Sequence, residues 1–228
     1  MARTKPLPIQ VGTIVYNEKD RLPQWLKHWQ KHAQRVIVLD QGSDDGTQDI
    51  LNESGVTWFE RLPRGNPDIH WNDLIAISKA NIPLFRHGVD EFITRANLKK
   101  ILKVMKAHPN IKAWWLARRN WIDGIDLRKH PEVKGLSIED DWQLVISYGK
   151  AYSFNGRMHN WPQLQIPTDN MGYIDPDNGW IDHYRTMEEI ERVNADRFHY
   201  CRNGSDADQD WFLRVCRDLV ERYGDESK

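Results

Sequence analysis

The pattern that most constrains this chain is a pair of apolar runs near its N-terminus, each ending abruptly in polar residues. Ile9 to Glu18 reads IQVGTIVYNE, and Arg35 to Ile50 reads RVIVLDQGSDDGTQDI. The first stops at Tyr16-Asn17-Glu18, the second at Asp40 followed by Gly42-Ser43-Asp44-Asp45-Gly46-Thr47. Short runs rich in Val and Ile that break into Asn, Asp, Gly and Ser are strands with turns at their ends. Between them Leu22, Trp25, Leu26 and Trp29 stand at i, i+3, i+4 and i+7, which predicts an amphipathic helix over 20–33 with Pro23 in its first turn. A strand, a helix and a parallel strand, with polar residues at the strand ends, form a nucleotide crevice on an open α/β sheet.

The same punctuation continues along the chain. Asp44 or Asp45 can cap a second helix that runs through Ile50 and Leu51 and ends near Gly55. Thr57 to Leu62 reads as a strand, Trp71 to Ala80 as a helix and Ile82 to Gly88 as a strand. Leu98, Ile101, Leu102 and Met105 give another helical stripe, and Ile111 to Arg118 a buried strand. From about 120 to 182 the periodicity breaks up, leaving one convincing strand near Leu144 to Phe154. Thr186-Met187-Glu188-Glu189 is a capping-box sequence that starts a helix at Thr186, and a last helix runs from about Asp208 to Tyr223. The expectation is one α/β domain with an irregular lobe and C-terminal helices.

Bulk properties exclude several classes of partner. The 228 residues suffice for one well-filled domain, and their net charge of −1 gives no bulk attraction to nucleic acid or an anionic membrane surface. No apolar run approaches the roughly 20 residues of a membrane span. Met-Ala-Arg-Thr-Lys-Pro leads into the first strand without a secretory apolar segment, and Cys201 and Cys216 form neither a disulfide framework nor a CxxC site. A reducing, cytoplasmic location is therefore expected. The eleven tryptophans include Trp25 and Trp29 on a core stripe, and Trp58, Trp71, Trp161 and Trp180 in polar surroundings where a ring could stack on a sugar or a base.

Taken together, VGTIVYNEKDRLPQWLKHW and VIVLDQGSDDGTQDIL resemble the opening of family 2 glycosyltransferases. Leu84 to Phe92, LFRHGVDEF, resembles the strand that leads into that family's Asp-x-Asp-Glu signature. Looser similarity follows at Phe154-Asn155-Gly156-Arg157-Met158-His159 and at Trp180-Ile181-Asp182-His183-Tyr184-Arg185. The resemblance implies a GT-A fold, with a mostly parallel central sheet flanked by helices, across 1–228 as one domain. Its nucleotide-binding part would be about 8–107, its acceptor and metal-completing part about 108–200, and its C-terminal helix 201–228.

It also implies a chemistry: a sugar moves from a nucleotide-sugar donor, a UDP-sugar, to a carbohydrate or other hydroxyl acceptor, with inversion. A divalent cation, Mn²⁺ or Mg²⁺, would sit on the diphosphate. Asp40 would accept a hydrogen bond from the base, with Thr13 and Asn17 flanking the pocket. Asp45 stands in the same motif, although Asp44, Asp45, Gly46 and Thr47 equally make a turn and a helix cap. Asp90 takes the second Asp of Asp-x-Asp and is the expected metal ligand, with Glu91 a supporting carboxylate. Gly88 replaces the first Asp, which puts the ribose contact in question. His183, placed by the sequence in a loop before Thr186, matches the late histidine that completes such metal sites, while Arg185 is a helix-start arginine. Glu139-Asp140-Asp141-Trp142 offers a catalytic base, foremost Asp141, with Asp140 and His159 behind it; His159-Asn160 stands where related sequences often carry His-Glu.

Two other classes compete. A GT-A-like module that binds nucleotide or glycan without turnover is favoured by Gly88 and Asn160. A nucleotidyltransferase is disfavoured, because no Gly-rich loop carrying Lys or Arg follows the first strand.

Overall fold

The structure is a computed structural model describing residues 5–62, 67–130, 142–154, 163–191 and 206–223. It divides into two compact units, Met1–Leu116 with Gln143–Gly179 and Ala117–Trp142 with Trp180–Lys228.

The first unit is built on a sheet. Its strands are β1 (Leu7–Val15), β2 (Ala33–Asp40), β3 (Thr57–Glu60), β4 (Leu84–Arg86), the short β5 (Glu91–Phe92) and the first part of β6 (Ala113–Ile122). The neighbour order is β3-β2-β1-β4, all parallel, and then comes β8 (Trp142–Ser147), antiparallel to β4 and beside β6. Helices α1 (Leu22–His32), α2 (Thr47–Ser54), α3 (Pro67–Ile77) and α4 (Arg95–Ala107) make the connections. The mostly parallel, helix-flanked sheet is the expected architecture.

Local chemistry explains the boundaries. α1 buries Leu22, Trp25 and Trp29 completely, and the same is true of Ile9 and Val11 on β1. The predicted stripe is therefore the packing face. α2 ends at Gly55, whose φ of 70° is the left-handed conformation glycine adopts without strain. α3 starts at Pro67, a turn before the predicted Trp71, because proline is preorganised for a helix's first turn. α4 is capped by the Thr94 hydroxyl, which accepts from Asn97 N at 3.2 Å.

The largest departure from expectation lies between 120 and 182. β6 continues past Arg118 to Ile122, and two further strands, β11 (Met171–Ile174) and β12 (Ile181–Arg185), run parallel to its successive halves. A β9 (Tyr152–Ser153) and β10 (Gln163–Leu164) pair separately. These strands are short and lack sustained alternation; pairing with a neighbour, rather than their own pattern, makes them strands.

In the second unit β6 turns back into β7 (Ile125–Asp126) through Asp123 and Gly124, both with positive φ (47° and 84°). An Asp-Gly pair is the tight-hairpin signature. Ile122, Ile125 and Leu127 form a core with Ile190 and with Cys216 and Leu219 of α5 (Asp206–Tyr223). Burial drives the Cys216 thiol up to about 12, so it is a packing residue. The capping box forms as predicted: Glu189 N donates to Thr186 Oγ1 at 3.1 Å, and Thr186 N to Glu189 Oε2 at 2.8 Å. Among the described residues no helix is long and apolar enough to cross a membrane.

His28, on α1, stands edge-on to Trp29, His32 and Phe92, with Nε2 3.0 Å from Ile93 O. Burial, then the neighbouring His32, lowers its pKa to about 4. The unfolded chain thus binds a proton between about pH 6.5 and 4 that the folded chain refuses, and folding stability falls as pH drops through that window. Urea melts across it should show that slope in the wild type and a flatter one in His28→Gln.

Candidate nucleotide site

At the carboxyl ends of β1 and β2 two loops are clasped together. Gln41 N donates to Val15 O at 2.9 Å. Asn17 N donates to Ser43 Oγ at 2.9 Å, and the Asn17 side-chain amide exchanges bonds with Asp44, Nδ2 to Oδ1 at 2.9 Å and Asp44 N to Asn17 Oδ1 at 3.0 Å. Glu18 N reaches Thr47 Oγ1 at 2.9 Å and Lys19 N reaches Asp45 Oδ2 at 3.2 Å. Asn17 has a φ of 53°, a left-handed conformation that asparagine tolerates better than a branched residue. Each bond contributes about 0.5–1.5 kcal/mol net, so the clasp is a substantial local constraint.

The N-cap position of α2 falls to Gly46, with a φ of 101° and no side-chain cap, so neither Asp44 nor Asp45 takes the place the sequence offered them. Asp45 Oδ1 accepts Thr47 N at 2.9 Å and Thr47 Oγ1 at 2.6 Å, while Asp44 serves Asn17. Burial alone would raise the Asp45 carboxyl, but the Thr47 hydroxyl and N–H and the Lys19 N–H outweigh it and hold it below the usual carboxylate range.

Asp40 ends β2 in register with Val15. The residue is closed off from solvent. Its carboxylate accepts Gly42 N and Ser43 N at 3.0 Å each, Gln48 Nε2 at 2.7 Å and the Ser43 hydroxyl. That geometry sets the carboxylate to order the Gly42-Ser43 turn. Thr13 is likewise fully buried, and among the described residues its hydroxyl has no hydrogen-bond partner. It shares a strand face with Val11 and Val15, so its side chain belongs to the core rather than to the pocket edge. Sequence reasoning missed Ser43 and Gln48; the Asp-x-Gly-Ser spacing was the available signal for Ser43.

The next strand end along the sheet carries Asp90. β4 continues with His87, whose N–H donates to Gly12 O at 3.0 Å and whose ring lies 5.1 Å from that of Trp29, tilted by only 8°. Glu91 closes the following turn, its Oε2 accepting Gly88 N at 2.9 Å. Asp90 Oδ2 lies 3.7 Å from Arg21 Nη1, and Arg21 Nε lies 3.7 Å from Glu18. Arg21, which sequence reasoning overlooked, immediately precedes α1. At Gly88 a Cβ would collide with Asp90 Oδ1, so the Asp90 carboxylate leans into the space a side chain at 88 would take. Hard divalent cations take one or two protein carboxylates and complete their shell with phosphate oxygens and water. Asp90 meets that minimum, although no group of three His, Cys, Asp or Glu side chains converges among the described residues.

In the second unit His183 is on strand β12, not in a loop, because the chain pairs there with β6. It is buried, with Nδ1 2.6 Å from Asn120 Oδ1. Arg185 ends the same strand. Asp141 and His159, the two candidates for base, together with Glu139, Asp140, Asn160 and Trp161, lie outside the described residues.

The mostly parallel, helix-flanked sheet has the GT-A type of fold. Two crystal structures of TarS from S. aureus share it. One is matched at 13% identity and a TM-score of 0.53, over 94% of this chain and 43% of that one. The other, TarS 1–349 in complex with UDP, is matched at 14% identity and a TM-score of 0.51, over 94% and 72%. Glucosyl-3-phosphoglycerate synthase from Mycobacterium tuberculosis, in complex with Mn²⁺, UDP-glucose and phosphoglyceric acid, is similar at 13% identity and a TM-score of 0.47, over 78% and 71%. This chain thus spans less than half the length of the longer TarS. No protein-family model matches the sequence, and no curated protein does.

Asp45→Ala should remove the bonds to Thr47 at the start of α2 and the Lys19 contact together, at a cost of about 1 kcal/mol. Because the Asp45 pKa is depressed by folding, its contribution is present above the ordinary carboxyl pKa and is lost as pH falls through the folded value. Thermal melts from pH 6 to 3 should show the wild type converging on the variant at the acid end.

Proposed function

We propose that this protein transfers a sugar from a nucleotide-sugar donor, a UDP-sugar, to a hydroxyl acceptor with inversion at the anomeric carbon. The observation that carries this reading is the clasp of residues 17–19 onto 43–47 at the carboxyl edge of a GT-A type sheet, followed at the next strand end by Asp90. The carboxyl ends of parallel strands are where such sheets take ligands, and UDP is the ligand of the TarS structure with that fold. Asn17 and the Ser43–Asp45 turn would frame the nucleotide. Asp40 holds that turn in shape and is proposed, with it, for the base end of the nucleotide.

Asp90 and, separately, His183 are proposed as cation ligands, on the chemistry of a carboxylate and of an imidazole nitrogen. A bound divalent cation would neutralise the charge that develops on the departing diphosphate. Arg21, with Nη1 3.7 Å from Asp90 Oδ2, would help to orient that carboxylate. An inverting transfer also needs a base on the acceptor hydroxyl; Asp141 is proposed for it, with His159 next.

A second reading, a GT-A-like module that binds nucleotide or glycan without turnover, is favoured by one observation. Asp90 is already paired with Arg21 and stands without a carboxylate at position 88. Hydrolysis and transfer across a panel of UDP-sugars, with Mn²⁺, Mg²⁺ or EDTA, separates the two. Turnover should require metal and fall at least tenfold in Asp90→Ala, with Asp141→Asn losing transfer but keeping UDP binding. Binding of UDP without turnover of any donor would replace the first reading by the second.

A further inference from the structure

One side chain of the first unit is not used by either reading. Arg86, the last residue of β4, is 9% exposed and lies in register with Gly12 of β1, at the carboxyl edge of the parallel pair. Its guanidinium carbon is 4.8 Å from the Trp71 ring, 5.1 Å from Tyr152 and 4.6 Å from Phe154. Nε donates to Tyr152 Oη at 2.7 Å and Nη2 to Leu144 O. The aromatic wall is itself fixed. Asn72, next to Trp71 on α3, exchanges both amide bonds with the Phe154 backbone, Nδ2 to O and N to Oδ1, at 2.8 Å each.

An arginine cannot shed its charge to suit a buried site. Burying an unpaired cation costs several kcal/mol, and ring faces and two neutral acceptors return only part of it. Among the described residues no carboxylate faces Arg86, and its Nη1 makes no hydrogen bond to any of them. The planar guanidinium is thus held rigidly by two of its nitrogens, with a third still able to donate. Such a group is preorganised for an oxyanion, which it meets with charge-assisted bonds.

We infer that Arg86 is the receptor for an oxyanion, a phosphate or carboxylate group carried by a small-molecule substrate. The inference does not depend on sugar transfer. It adds to that reading a requirement that one substrate be anionic at this point, as either the diphosphate of the donor or an acid group of the acceptor.

Calorimetry and thermal melts with UDP, inorganic phosphate and acetate, on wild type and Arg86→Met, test it. Wild type should bind at least one probe saturably, and Arg86→Met should bind that probe at least tenfold more weakly. Arg86→Met gives up the bonds to Tyr152 and Leu144 as well as the charge, so affinities are compared only at a temperature where the melt shows the variant folded. Loss confined to UDP assigns the site to the donor diphosphate; loss of phosphate or acetate with UDP retained assigns it to an acidic acceptor. Phosphate binding without UDP binding keeps the anion receptor and removes the nucleotide reading. Arg86→Gln, which retains a donor for Leu144 O, replaces the Met variant if that one does not fold. Unchanged probe affinity in the folded neutral variant, or no binding of any probe by wild type, overturns the inference.

Discussion

The site depends on one constraint, the hydrogen-bonded clasp between the ends of β1 and β2. Parallel strands leave their carboxyl ends as open loops, and such loops are ordinarily the most variable part of a sheet. Here they are stitched backbone to side chain, Asn17 to Ser43 and Asp44, Glu18 to Thr47, Lys19 to Asp45. Asp40 works beneath the stitching, a buried carboxylate whose charge is absorbed by N–H and O–H donors of the turn it organises. With the loops fixed, the helix starts are fixed too: α2 begins on the Asp45–Thr47 bonds and α1 follows directly from the first loop.

The regular first half of the chain was readable because its signals are local and agree with one another. The Leu22, Trp25, Leu26, Trp29 stripe is the packing face of α1, and the apolar runs 9–15 and 36–39 are central strands. The lobe from 120 to 182 was not readable in the same way. β11 and β12 become strands by completing the edge of β6, a property of the neighbour rather than of their own composition. The Asp123-Gly124 hairpin was legible in principle and passed unread. Site residues were legible as positions more than as roles. Asp40 and Thr13 are where the motif puts them, yet strand alternation and turn chemistry turn both inward. Arg21 and Arg86 gave no sequence signal, since an arginine's partner is visible only in three dimensions.

The fold and the chemistry point the same way without being the same claim. A GT-A type sheet supplies a carboxyl edge with ordered loops, and many activities can be grafted onto one scaffold. What narrows the choice is the charge arrangement along that edge. An acid at Asp90 is oriented by Arg21, and a cation at Arg86 is set among three rings with no acid among the described residues to answer it. Both are features suited to a ligand that carries negative charge and that brings, or attracts, a counterion.

The absent side chain at position 88 carries a final consequence. The Asp90 carboxylate already fills the volume that a β-carbon there would claim. Any side chain placed at 88 would have to turn that carboxylate aside, and its contact with Arg21 would move with it. Positions 21, 88 and 90 are thus mechanically linked, and a substitution at one of them is felt at the other two.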